Sequence, residues 1–188
     1  MRVPEVRRIV RGALRPPPGR EELLRLVAEL WAQPVHELRL AAVEALAFRA
    51  DDLEAEDLAL VEGMLREART WALVDPLAID VAGPLVVAHP GLGATLDRWS
   101  RDEDFWLRRA SMLALLRPLR DGGGDWERFA RYADAMLEER EFFIRKAIGW
   151  VLRDTGRRRP ELVAAWIAPR RDRASGVTLR EVRKVVSD

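Results

Sequence analysis

Apolar residues return at intervals of three and four along almost the whole chain, and no segment alternates with period two, so the pattern predicts an all-α protein. Helices are predicted over 4–14, 20–33, 35–50, 54–69, 71–89, 91–101, 104–120, 125–139, 141–156, 160–168 and 178–187. Proline and glycine punctuate them at Pro16–Pro18, Pro34, Pro90–Gly91, Gly122–Gly124, Gly156 and Pro160, where a helix lacks a donor or loses rigidity. The connections are short, which favours antiparallel neighbours.

Three helix beginnings superimpose. Val35-His-Glu-Leu-Arg-Leu-Ala41, Asp104-Phe-Trp-Leu-Arg-Arg-Ala110 and Glu141-Phe-Phe-Ile-Arg-Lys-Ala147 share an apolar, Arg, any, Ala core with arginines at Arg39, Arg108 and Arg145. Their separations of 69 and 37 residues correspond to two repeats and one repeat of the length used by helix-pair solenoids. The helix opening near Trp71 supplies the missing register. The expected architecture is a single HEAT-like helical-repeat domain over 1–188, a solenoid with one helix of each pair lining a concave face.

The chain has 188 residues, 48% hydrophobic and 34% charged, enough to bury a core. It has no cysteine, which excludes disulfides, thiol nucleophiles and thiolate metal sites. His36 and His89 are too far apart in sequence to form a zinc motif, and no acidic stretch has the pattern of a calcium loop, so no metal or other cofactor is expected. No run of 18 apolar residues or secretory signal occurs, and a cytoplasmic protein with no membrane partner is expected. Charge is uneven, although the net value is only +1. Residues 1–100 carry 12 basic and 16 acidic groups, while residues 101–188 carry 20 and 15. From Phe142 onward the basic excess is nearly all arginine, whose planar fork suits phosphates.

Three segments carry candidate chemistry. Trp71 and Asp75 lie one helical turn apart, which puts an indole and a carboxylate on one face. A plainer reading makes Asp75 an N-cap, followed by Pro76 at the first helical position. In the second segment Arg108 follows the repeat and is expected to brace a neighbouring helix. Arg109 then points about 100° away, toward a groove or solvent. The third is Glu141-Phe-Phe-Ile-Arg-Lys-Ala-Ile-Gly-Trp-Val-Leu-Arg153. Gly149 in its interior costs on the order of 1 kcal/mol relative to alanine, which implies a close approach or a space beside Trp150.

Taken together and in this order, Trp71-x-x-x-Asp75, Phe105-Trp-Leu-Arg-Arg-Ala110 and the Glu141–Arg153 stretch resemble the AlkD-type DNA alkylation-repair glycosylases, which are helical HEAT-like-repeat proteins. The resemblance runs from about Val35 to the C-terminus. It implies excision of N3- and N7-alkylated purines from double-stranded DNA; separately, a monomer is expected. By that likeness Asp75 is the catalytic carboxylate, Trp71 and Trp150 are aromatic walls around the deoxyribose, and Arg109 is a phosphate or active-site contact. Arg145, Lys146 and Arg153 are the expected DNA-backbone contacts. The Arg157-Arg-Arg159 run is read as solvated. The segment ahead of Trp71 is shorter than the family's usual one and richer in acidic than basic groups. That favours the alternative of a non-catalytic helical-repeat module that binds DNA or scaffolds proteins.

Overall fold

The computed structural model describes residues 3–186, and every regular element among them is helical. The chain gathers into two units, residues 1–92 and 93–188.

The first unit contains α1 (Val3–Ala13), α2 (Arg20–Trp31), α3 (His36–Phe48), α4 (Leu58–Ala68), α5 (Trp71–Pro76) and α6 (Gly83–Ala88). Helix α3 is central, with α1, α2 and α5 packed on it. Its Val43 and Leu46 are fully buried, as are Val27 of α2 and Val61 and Leu65 of α4. Each such side chain removed from water contributes about 1.5–3 kcal/mol. The turn from α4 into α5 is tight: Arg69 adopts φ 46° in the left-handed region, and Thr70 then caps α5 by accepting the Ala72 N–H.

In the second unit lie α7 (Gly93–Trp99), α8 (Phe105–Leu113), α9 (Leu116–Arg120), α10 (Trp126–Ala135), α11 (Phe142–Gly156), α12 (Pro160–Ile167) and α13 (Gly176–Val182). Helix α11 is its hub, packed by α8, α9, α12 and α13. The single helix expected over 104–120 is instead broken between α8 and α9. Pro118 has no N–H for the Ala114 carbonyl, and the chain tightens there, with Leu115 donating to the Met112 carbonyl.

The superimposed helix starts share a physical role. Asp104 and Glu141 are N-caps whose side chains accept the Trp106 and Phe143 N–H groups. The repeated arginines reach back to carbonyls of the preceding turn. Arg39 donates to the Trp31 and Gln33 carbonyls, Arg108 to those of Asp102 and Glu103, and Arg145 to that of Glu139. Arg39 thereby satisfies an acceptor at the open end of α2, while Arg108 and Arg145 tie down carbonyls of the connections that lead into α8 and α11.

Polar ties also join residues one repeat apart within each unit. Arg7 pairs with Glu44, Arg20 with Asp57, and the Trp31 indole with Glu67. In the second unit Tyr132 pairs with Asp97, Arg170 with Asp134, and Lys146 with Glu181. Sequence separations of 35–37 residues in these six ties match the spacing of the repeat.

Candidate functional site

The segment from Trp71 to Ala88 is the most apolar helix of the first unit, with a mean hydropathy of 1.6 over 18 residues. That length and composition would also span a membrane, but Leu73, Val74, Leu77, Ala78, Val81, Ala82 and Leu85 are all core residues of the unit. Two carboxylates interrupt it, Asp75 and Asp80. Asp75 is 7% exposed, while Trp71, one turn earlier on the same face, is 56% exposed.

Asp75 does not cap a helix. The cap is Thr70, and Pro76 is the last residue of α5 rather than the first residue of a new helix. The proline removes the donor for the Ala72 carbonyl, and the helix continues by widening into a π-turn over Leu77–Ala82. The Gly83 N–H closes that turn on the Ala78 carbonyl, five residues back, and Pro84 follows. Asp75 therefore stands at the junction between α-helical and π-helical geometry.

Arg109, expected to face an open groove, is 3% exposed. It donates to the Phe143 carbonyl at 2.5 Å, and its guanidinium lies 5.8 Å from the centre of the Phe143 ring. Trp106 and Phe143 pack at 4.9 Å beside it, in an aromatic cluster that joins α8 and α11. Arg108 braces as expected, with a two-pronged pair to Glu139.

Trp150 is half-buried on α11 and donates its indole N–H to Asp154 at 3.0 Å. Asp154 is also paired with Arg153 at 3.0 Å. The expected DNA contacts around it have internal partners: Lys146 and Arg153 both pair with Glu181 of α13, at 2.6 and 2.5 Å, and Arg145 holds the Glu139 carbonyl. Hydrogen bonds from Lys146, Lys184 and Arg153 keep the Glu181 carboxyl down at about 2, against its burial, which pushes the other way. Gly149 marks a close approach rather than a space beside the indole. A Cβ there would meet Glu181 side-chain atoms at 3.1 Å and the Thr178 Cα at 3.2 Å.

The structure thus groups Trp71 with Asp75 in the first unit, and Lys146, Trp150 and Arg153 around Asp154 and Glu181 in the second. Sequence reasoning missed Asp154 and Glu181. Asp154 had a legible signal, because Trp150-x-x-x-Asp154 repeats the spacing of Trp71-x-x-x-Asp75. Glu181 had none beyond its neighbour Lys184, since its other two partners are 28 and 35 residues away. Among the described residues no three histidine or acidic side chains gather as a metal site.

An all-helical chain of repeated helix starts, bearing an exposed indole one turn from a shielded carboxylate, is the class of protein the geometry defines. The chain belongs to the DNA alkylation repair enzyme family, which matches it over residues 1–185. Its fold is shared with a protein from Enterococcus faecalis described as a predicted DNA alkylation repair enzyme, at 20% identity and a TM-score of 0.88, covering 100% of this chain and 87% of that one. AlkD2 from Streptococcus mutans superimposes with a TM-score of 0.76 at 16% identity, over 100% of this chain and 92% of its own. The smu.31 protein from Streptococcus mutans UA159 gives 0.74 at 17% identity, over 97% and 92%. No curated protein sequence matches the chain.

Proposed function

We propose that this chain is a DNA glycosylase that releases N3- and N7-alkylated purines from duplex DNA, with Asp75 as the carboxylate that stabilises the sugar cation. The observation that carries the reading is the pairing of a 7% exposed carboxylate with a 56% exposed indole one turn away. An indole left in water on a helix start contributes little to the core and offers a flat electron-rich face to a ligand.

The chemistry needs few groups. Cleavage of a glycosidic bond through an oxocarbenium-like transition state ordinarily uses an acid for the leaving group and a carboxylate opposite the sugar. A cationic alkylpurine departs as a neutral base with the electrons of the C–N bond, so the acid is dispensable, and the positive charge left on the sugar is quenched when water adds to the anomeric carbon and gives up a proton, leaving an abasic site. A carboxylate 4 Å from that charge gains about 4 kcal/mol at an effective dielectric of 20, nearly a thousandfold in rate. Trp71 adds cation–π attraction of about 0.5–2 kcal/mol and excludes water. A neutral purine gains little, and selectivity follows from leaving-group ability.

In the second unit, Asp154 fixes the orientation of the Trp150 indole, which presents an aromatic face to DNA in this reading. The donors of Arg145, Lys146 and Arg153 not spent on internal acceptors supply phosphate contacts, and Arg109 holds α8 against α11 beneath them. The test is release of N7-methylguanine from methylated duplex DNA. Wild-type protein is expected to exceed the spontaneous rate, and Asp75→Asn to return it to that rate with the fold retained. Equal release by both proteins would remove Asp75 from the mechanism. The commitment of Lys146 and Arg153 to Glu181 leaves fewer cations for phosphates and favours a second reading, a non-catalytic helical-repeat protein scaffold, which a wild type that neither binds duplex DNA nor releases base would select.

A further inference from the structure

Helix α1 presents two unlike faces. Val6 and Val10, with Leu14 just beyond the helix end, are buried, and Arg7 fixes the helix to α3 through two hydrogen bonds to Glu44, at 2.7 and 2.8 Å. On the solvent side Arg8, Arg11 and Arg15 are exposed and, with Pro4, Arg7 and Gly12, line a concavity of about 400 Å³. No carboxylate belongs to that lining. The arrangement stands out because the charged groups of residues 21–92 in the same unit are mainly acidic.

Gly12 is the second observation. It is the last but one residue of α1, and no atom lies within 4 Å of the position its Cβ would take. Packing therefore gives no reason for a glycine. Its place does: it follows Arg8 by one turn and lines the concavity, so a side chain at position 12 would project into that space. Glycine keeps that space open. Arg11 is steadied by Phe48, whose ring centre lies 5.4 Å from the guanidinium carbon, an arrangement that leaves the N–H edges for an acceptor.

We propose that Arg8, Arg11 and Arg15, with Gly12 between them, form a phosphate-binding patch that holds the backbone of duplex DNA. Planar guanidinium forks match phosphate oxygens two at a time, and two of them on α1 with a third just past its end reach neighbouring phosphates of one strand. The inference rests on the reading of the protein as a DNA-acting one, and it assigns the first unit a grip of its own.

The experiment measures the affinity of the full-length protein for a short unmodified duplex by fluorescence anisotropy at several salt concentrations, with base release followed in parallel. Replacing all three arginines by glutamine is expected to lower the slope of log affinity against log salt by about 2–3, near 0.9 for each phosphate that is no longer neutralised. Gly12→Glu, which keeps the arginines and sets a carboxylate among them, is expected to weaken binding in the same direction. Both variants should melt within a few degrees of the wild type. An unchanged slope and affinity in the glutamine variant, or a collapse of its melting temperature, would overturn the patch. Wild-type protein that binds but releases no base would end the catalytic reading alone, with the slope difference still deciding the patch. A wild type that does not bind duplex DNA would end both.

Discussion

Trp150 donates its indole N–H to Asp154 at 3.0 Å, one turn further along α11. The same two residue types at the same spacing open α5, where Trp71 is 56% exposed and Asp75 only 7%. Spacing alone does not decide what a tryptophan and an aspartate do for each other. In α11 the pair is closed on itself and locked by Arg153, while in α5 the ring is turned toward water. The two indoles therefore answer to different tests.

Removing the exposed ring should cost function and spare the fold. Trp71→Ala is expected to change unfolding free energy by no more than about 0.5 kcal/mol, as at other surface positions. It should slow release of N7-methylguanine by about 2- to 30-fold, the worth of one cation–π attraction. Denaturant titration and single-turnover base release measure the two effects. A large drop in stability with full activity would make Trp71 a packing residue.

Arg109 should behave in the opposite way. Its guanidinium is buried and donates to the Phe143 carbonyl, so Arg109→Met removes a buried charge-assisted hydrogen bond. The expected loss is about 1.5–3 kcal/mol in urea unfolding. An unperturbed midpoint would show that the guanidinium carries no structural load.

Acid should loosen the attachment of α13. The Glu181 carboxyl is held at about 2 in the folded protein, below its ordinary value of 4.5, so the folded state binds fewer protons than the unfolded one. Its contribution is fully present above pH 4.5 and is lost as pH falls through about 2. Glu181→Gln is expected to be less stable than the wild type near neutrality, with the two converging toward pH 2. Melting curves across that range check it, and parallel pH profiles would dissociate Glu181 from the acid response.

Two glycines in helix interiors should respond with opposite signs. Gly149→Ala drives a methyl into Glu181 and the α13 backbone, and is expected to cost about 1–3 kcal/mol. Gly63→Ala in α4 adds a methyl with no atom within 4 Å and is expected to stabilise by about 0.5–1 kcal/mol. Thermal unfolding of the two variants separates close approach from backbone entropy.

Helical spacing makes the elements legible, because burial on one face of a helix writes itself into sequence at every turn. The repeat is legible too, and its arginines share one task. Superposition places Arg145 with Arg39 and Arg108, yet an arginine in a basic segment reads equally well as a DNA contact, whereas it holds the Glu139 carbonyl as Arg108 holds that of Asp102. The burial of Arg109 is not legible, since Phe143 lies 34 residues away. Nor is the role of Pro76: an aspartate followed by proline reads as a helix start unless tertiary packing forces the helix onward. Here the apolar flank of residues 73–85 does so, and the frame widens instead of ending.

That widening has a consequence for how the chain tolerates change in length. A turn closed by a bond to the fifth residue back holds one residue more than an ordinary turn. Deleting a single residue between Leu77 and Ala82 can restore ordinary winding by removing that surplus, leaving the rod intact and the faces on either side of the cut in register, where the same loss from an ordinary helical stretch turns one side by about 100° against the other. The π-turn is thus a place where one codon can be lost without re-aiming Asp75 relative to α6.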